Sequence, residues 1–132
     1  MIHEEICTYE VCKLAKEKGF NVPTNRYYHI YDDVIEAQNS LEMTSDGCAV
    51  FYNSLNRCRC AAPTQSLLQR WLREEKGLHI SIPLHKGGEY KYFWAIDSLN
   101  RKKKTDDIAY NLFDTYELAL EDALKYALEN LV

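Results

Sequence analysis

With 132 residues, 46% of them hydrophobic and 27% charged, the chain has the composition of a single globular domain rather than a disordered segment. Its formal charge of −4 leaves no polycationic half: residues 1–63 carry −3 (6 basic, 9 acidic) and residues 64–132 carry −1 (10 basic, 11 acidic), which argues against nucleic acid as a partner because affinity for phosphate comes mainly from clustered Lys and Arg. No apolar run approaches a membrane span, Met1 to Glu5 is unlike a signal peptide, and five cysteines, an odd number, point to reduced thiols in a cytosol.

Thr8 to Gly19 reads as a short amphipathic helix, with Thr8 as N-cap, Glu10 in the first turn, Lys16 and Lys18 in the last, and Gly19 as the stop. Cys7 and Cys12 flank that cap as a hydrophobic staple would. Arg26 to Tyr31 is rich in strand-forming aromatics. Residues 32–63 are the least legible: Asp32 to Ala37 fits loop or helical turn, Cys48 to Tyr52 reads as a strand, and Arg59 to Ala62 as an extended lead into Pro63.

From Thr64 the pattern sharpens. Leu67, Leu68, Trp71 and Leu72 share one face of a helix over Thr64–Lys76, closed by Gly77. Leu78, Ile80, Ile82 and Leu84 then alternate with polar residues, as do Tyr90, Tyr92, Trp94 and Ile96, so two strands form a hairpin turning at Gly87-Gly88. Ile108 to Phe113 is expected to be a third strand. Asp114, three residues ahead of Glu117, is the expected cap of a last helix striped by Tyr116, Leu120, Ala123, Leu124, Ala127 and Leu131. The expected fold class is α+β: an antiparallel sheet of about three to five strands, two main helices packed on one face, and a short N-terminal helix. Within the single domain, residues 64–132 form the helix-strand-strand-strand-helix core, and residues 1–63 the N-terminal helix and irregular or strand segments.

Three segments, Lys13 to Phe20, Pro63 to Glu74 and Thr115 to Ala127, resemble a family of short, uncharacterised phage and prophage proteins. The run Pro-Thr-Gln-Ser-Leu-Leu-Gln-Arg-Trp-Leu-Arg-Glu at 63–74 is the most specific of them. The resemblance implies a phage or prophage origin and carries no activity, cofactor or functional residue.

No chemical constellation stands out. Cys48, Cys58 and Cys60 lack the paired Cys-x2-4-Cys spacing of structural zinc, and the single residue between Cys58 and Cys60 strains a shared metal, so small thiols are the better reading and no metal or cofactor is expected. His3, His29, His79 and His85 are scattered, and no Ser or Cys is tied to them by spacing. The expected function is therefore non-enzymatic: a cytoplasmic accessory protein that binds another protein or itself. Tyr27, Tyr28, Lys91 and Phe93 are the candidate contact residues, because neighbouring strand aromatics cannot all face one core and exposed Tyr is favoured at interfaces. The alternative is a nucleic-acid-binding module. The order of elements from Thr64 onward looks like the double-stranded RNA-binding domain, with Lys86 in the first strand loop and Arg101, Lys102, Lys103 and Lys104 in the next. Against it, Asp114 and Glu117 put the wrong sign at the start of the last helix.

Overall fold

A computed structural model describes residues 2–55, 57–87, 89–99, 106–109 and 111–132. The chain is α+β and divides into two compact units, Met1–Thr64 and Gln65–Val132.

In the first unit α1 (Tyr9–Glu17) begins as the cap residues dictate, with Thr8 Oγ1 accepting from Val11 N. It ends where Gly19 takes φ 94°, a left-handed conformation that costs a residue without Cβ little. Three short antiparallel strands follow in the spatial order β2-β1-β3: β1 (Arg26–His29), β2 (Glu42–Met43) and β3 (Arg59–Ala61). Alternation divides their side chains. Tyr28 and Cys60, a register pair, are buried on the side of α1, where the Tyr28 ring meets Tyr9 edge to face at 5.8 Å and its hydroxyl donates to Cys7 O at 2.7 Å. Cys7 and Cys12 are wholly buried beside them, in the packing role their spacing predicts.

Within residues 32–63 one stretch takes the helical-turn alternative and another departs from its expected strand. Asp33 caps a one-turn helix α2 (Val34–Gln38), its Oδ1 accepting from Ile35 N at 2.8 Å and Glu36 N at 3.2 Å. The strand expected at Cys48–Tyr52 is absent: Val50 makes a single bridge to Thr24, and Tyr52 opens a short helix α3 (Tyr52–Leu55). Asn53 explains the turn, since its side chain donates to Phe20 O at 2.7 Å and accepts from Ala61 N at 2.9 Å, holding the chain in a local bend rather than a ladder.

The second unit opens with α4 (Gln65–Lys76), which buries Leu68, Trp71 and Leu72, and Gly77 ends it at φ 66°. Next come β4 (Leu78–Ser81), β5 (Leu84–His85), β6 (Lys91–Tyr92), β7 (Ala95–Ser98), β8 (Asp106–Ile108) and α5 (Tyr116–Asn130). Pairing of β4 with β7 and of β5 with β6 keeps one register, from Leu78↔Ser98 to His85↔Lys91, and Phe93 N donates to Pro83 O between them. The expected hairpin is therefore a single arm, interrupted where Pro83 has no N–H to return. The third strand lies earlier than expected, at Asp106–Ile108 on the open side of β7; of the described residues of the anticipated segment, Ala109 N donates to Trp94 O and Phe113 bridges to Tyr92. The cap of α5 is also shifted: Thr115 Oγ1 accepts from Leu118 N at 3.1 Å, while Asp114 pairs with Lys91.

Helices α4 and α5 lie against the sheet side that carries Leu78, Ile80, Trp94 and Ile96, all buried, with Leu120, Ala123, Leu124, Ala127 and Leu128 of α5 completing the dry layer. Trp94 retains its polar contact there, Nε1 donating to Asp122 Oδ2 at 2.8 Å.

Candidate functional site

The helix-facing side of the hairpin is dry at one end and open at the other. Trp94 is 4% exposed and Ile96 0%, whereas Leu84, two pairs further along the same alternating face, is 39% exposed. Leu84 stands opposite Tyr92; the Tyr92 ring meets Tyr116 edge to face at 6.1 Å, and Tyr116, in the first turn of α5, is 41% exposed. At the first turn of α5 the cover thins, and an apolar face made of Leu84, Tyr92 and Tyr116 continues the core partly open to solvent. On the other side of the hairpin Lys91 is held by Asp114 and lies within 3.8 Å of Glu89, and this pairing raises the lysine pKa above its ordinary value. An amphipathic Tyr pair with an aliphatic neighbour has the composition of a protein contact surface.

The anticipated contact residues fall elsewhere. Tyr27 and Tyr28 are buried, so neither forms an open aromatic surface. They do alternate as strand neighbours must. Tyr28 belongs to the α1 side, and Tyr27 packs on the other, its ring 4.6 Å from that of Tyr52 and under the Arg59 guanidinium at 4.5 Å. Lys91 and Phe93 occupy the hairpin side away from the helices, half-buried, Phe93 being edge to face with His85 at 6.5 Å. Leu84 and Tyr116 were not anticipated as surface. The signal for them is the length of the apolar alternation in Leu78–Leu84, longer than the first turn of a helix starting after Thr115 can cover.

A polar cluster stands around Tyr27. Its hydroxyl donates to Glu42 Oε2 at 2.8 Å, and His29 Nε2 lies 3.4 Å from the same oxygen. The Tyr27 bond first, then His29, holds the Glu42 carboxyl below its usual range, and the same bond raises the tyrosine. Tyr52 bonds to Thr44 beside them. A carboxylate behind an imidazole is half of an acid-base relay. Ser40 Oγ, beside His29 in the fold, is engaged by backbone instead, accepting from His29 N at 2.8 Å and donating to Ala37 O at 2.6 Å.

Cys48 and Cys58 are exposed and Cys60 is buried, its thiol pushed up to about 12 by burial. Among the described residues no three of His, Cys, Asp and Glu converge on a metal-sized site, and no helix is long and apolar enough to cross a membrane. Lys86 is exposed at the hairpin tip, and Arg101 to Lys104 lie outside the described residues.

One further concavity lies in the first unit. Val34 and Ile35 of α2 form the apolar floor of an open groove of about 390 Å³, with Thr8, Glu10, Gln38 and Asn39 around it. Neither Val34 nor Ile35 was singled out from sequence, although the Asp33-x-x-Glu36 spacing is the capping-box signal that places them on a helix.

Compared with protein-family models, with curated proteins and with solved structures, the chain matches none.

Proposed function

We propose that the protein is a non-catalytic accessory protein, of phage or prophage type and working in the cytoplasm, that acts by binding another protein through the open end of the hairpin face. The observation that carries this reading is the continuation of the core face past its helices, where Leu84 and Tyr116 are 39% and 41% exposed around Tyr92. Leaving Leu84 and Tyr116 about two-fifths open beside a half-buried Tyr92 forgoes a corresponding fraction of the ~1.5–3 kcal/mol that full burial of a large side chain contributes. A partner that covers them recovers it. The phage attribution rests on the three segments around residues 13–20, 63–74 and 115–127.

The test is site-specific photocrosslinking in the cell of origin, with a photoreactive phenylalanine analogue in place of Tyr116. A discrete protein adduct is expected, lost when Leu84→Glu is added and absent when the probe replaces Glu129 on the wet side of α5. Equal adducts at 116 and 129, or indifference to Leu84→Glu, would refute the reading.

One observation favours a second reading. With β4–β5 and β6–β7 taken as two arms and β8 as a third, the order helix-strand-strand-strand-helix resembles that of the double-stranded RNA-binding domain, which supports this reading. Phosphate contacts there would fall to Lys86 and to the run Arg101 to Lys104. Binding to duplex RNA that weakens steeply between low and moderate salt would support this reading; no shift at low salt would remove it.

A further inference from the structure

Beside its apolar face the hairpin has an open backbone edge. Leu84 stands opposite Tyr92, whose N–H and C=O both go to Phe113, and Phe93 N donates to Pro83 O. Residues of a strand in an antiparallel ladder point their N–H and C=O alternately to one neighbour and to the other. Pro83 therefore turns inward, and Ile82 and Leu84 turn to the outer edge. Ile80, two residues before Ile82, fixes the phase, because its carbonyl accepts from Gln69 Nε2 at 3.0 Å instead of from β7. Among the described residues no strand lies beyond β4 or β5 on this side. Ile82 and Leu84 thus hold their N–H and C=O groups in a row along a free edge.

Elsewhere the protein closes its edges. On β3 the outward groups are taken by side chains, Lys16 Nζ donating to Arg59 O at 2.9 Å and Asn53 Oδ1 accepting from Ala61 N at 2.9 Å. Gln69 does the same on β4, and the Phe113 backbone on β6. Such devices keep strand edges from pairing with other chains. A proline in an edge strand serves that end when its nitrogen faces outward. Pro83 faces the other way. It withholds a donor from Phe93 inside the hairpin and leaves the outward donors of Ile82 and Leu84 in place. This unclosed stretch borders the open face, since the Leu84 side chain is 39% exposed next to Tyr92 and Tyr116.

We infer that the outer edge of β5 takes an extended segment of another protein as an added strand, hydrogen-bonded to Ile82 and Leu84. The edge selects the chemistry of its occupant. An extended backbone offers donors and acceptors at the two-residue spacing that these groups present, whereas a helix has paired its own internally. Side chains of an added strand alternate between its faces, and those sharing the face of Leu84 fall on the surface of Leu84, Tyr92 and Tyr116. The segment is thus one with apolar residues at every second position, held by its main chain and selected by that alternation. This inference rests on the hairpin-face reading and gives the partner there a conformation.

The test is an amide-resolved NMR titration of the full chain with a synthetic peptide of alternating Val and Thr between terminal lysines, followed by hydrogen exchange. Saturable binding is expected, with exchange at Ile82 and Leu84 slowed about tenfold or more and exchange at Ser81 and His85, which face inward, unchanged. The same peptide N-methylated at every central residue is expected not to bind. Leu84→Pro removes the outward donor without touching an inward hydrogen bond and is expected to abolish binding, while Leu84→Val keeps the donor and should bind within about threefold of the parent. Where the proline variant fails to fold, the N-methylated peptide carries the same test. Equal slowing at inward and outward amides, equal binding of the N-methylated peptide, binding by folded Leu84→Pro as tight as by the parent, or no saturable binding would overturn the added strand. Protection of Ile82 and Leu84 that rises with the concentration of the protein alone would make a second copy of the chain the occupant and overturn the assignment to another protein. A crosslink at residue 116 that Leu84→Glu removes, found beside any of these contrary results, leaves the face reading standing; absence of that crosslink removes the face reading whatever the peptide does.

Discussion

Tyr9 and Tyr28 meet edge to face in the core of the first unit, both about as buried as a side chain can be, and their hydroxyls are in opposite situations. Tyr28 donates to Cys7 O at 2.7 Å. Tyr9 Oη has no hydrogen-bond partner among the described residues, and it is the one buried side-chain polar atom there of which this is true. A buried polar group left unpaired carries a desolvation penalty of ~1–3 kcal/mol, against which removal of one oxygen leaves a gap worth well under ~1 kcal/mol. Tyr9→Phe should therefore stabilise the protein by ~0.5–1.5 kcal/mol. Tyr28→Phe should destabilise it by ~1–2 kcal/mol, because Cys7 O loses its strong donor, the Cys12 thiol at 3.6 Å being a weak one. The same chemical change at neighbouring rings thus has opposite signs. Urea unfolding followed by far-UV circular dichroism reads the difference; tryptophan fluorescence is the wrong probe, since Trp71 and Trp94 both lie in the second unit. A midpoint shift without a change of slope is expected in both variants. Destabilisation by Tyr9→Phe as large as that by Tyr28→Phe would refute the reasoning.

Three further outcomes are expected. Trp71→Ala removes a buried ring from α4 and should cost ~3–5 kcal/mol, against a total stability of ~5–15; a melting temperature within a degree or two of the parent would show that the ring is not core. The Glu42 carboxyl titrates below its ordinary 4.5 when folded, so its contribution is present above pH 4.5 and lost as the pH falls through the lowered value. Glu42→Gln should accordingly make acid unfolding shallower, as followed by circular dichroism, and an unchanged acid limb would contradict this. Cys60, raised from 9.0 to about 12, contributes stability that is intact below pH 9 and lost as the pH rises toward 12. A thiol reagent at neutral pH should modify Cys48 and Cys58 in the native protein and reach Cys7, Cys12 and Cys60 only on unfolding; fast reaction at Cys60 would be the contrary result.

The elements legible in the sequence are those whose signal is periodic or capped by local chemistry. Leu68 to Leu72 and Leu120 to Leu128 repeat at helical spacing, and Leu78 to Leu84 alternates. The Lys-Gly pairs at 18–19 and 76–77 end α1 and α4 because glycine enters the left-handed region at little cost. Residues 32–63 are legible only at their ends, in the helical turn of α2 and the extended run at Arg59–Ala61, because the rest of their structure depends on side chains that meet across sequence. Asn53 reaches Phe20 and Ala61, Gln38 reaches Tyr9, and Ser40 takes the His29 backbone. No local pattern encodes such contacts. The candidate site shows the same limit. Alternation correctly separates Tyr27 from Tyr28, yet whether each side is covered depends on where α1 and α3 pack, and both tyrosines are buried as a result. Leu84 and Tyr116 are indistinguishable from core residues in the sequence, since only the lengths of the hairpin and of α5, set against one another, leave them open.

The account turns on one sheet face being dry under α4 and α5 and bare at the hairpin end. Hydroxyl-radical footprinting of the free protein, read residue by residue by mass spectrometry, measures this directly. Tyr116 and Leu84 should be oxidised readily, while Trp94, intrinsically the more reactive ring but 4% exposed, should oxidise several-fold more slowly. Rapid oxidation of Trp94, or protection of Tyr116 and Leu84 equal to that of Leu124, would contradict it.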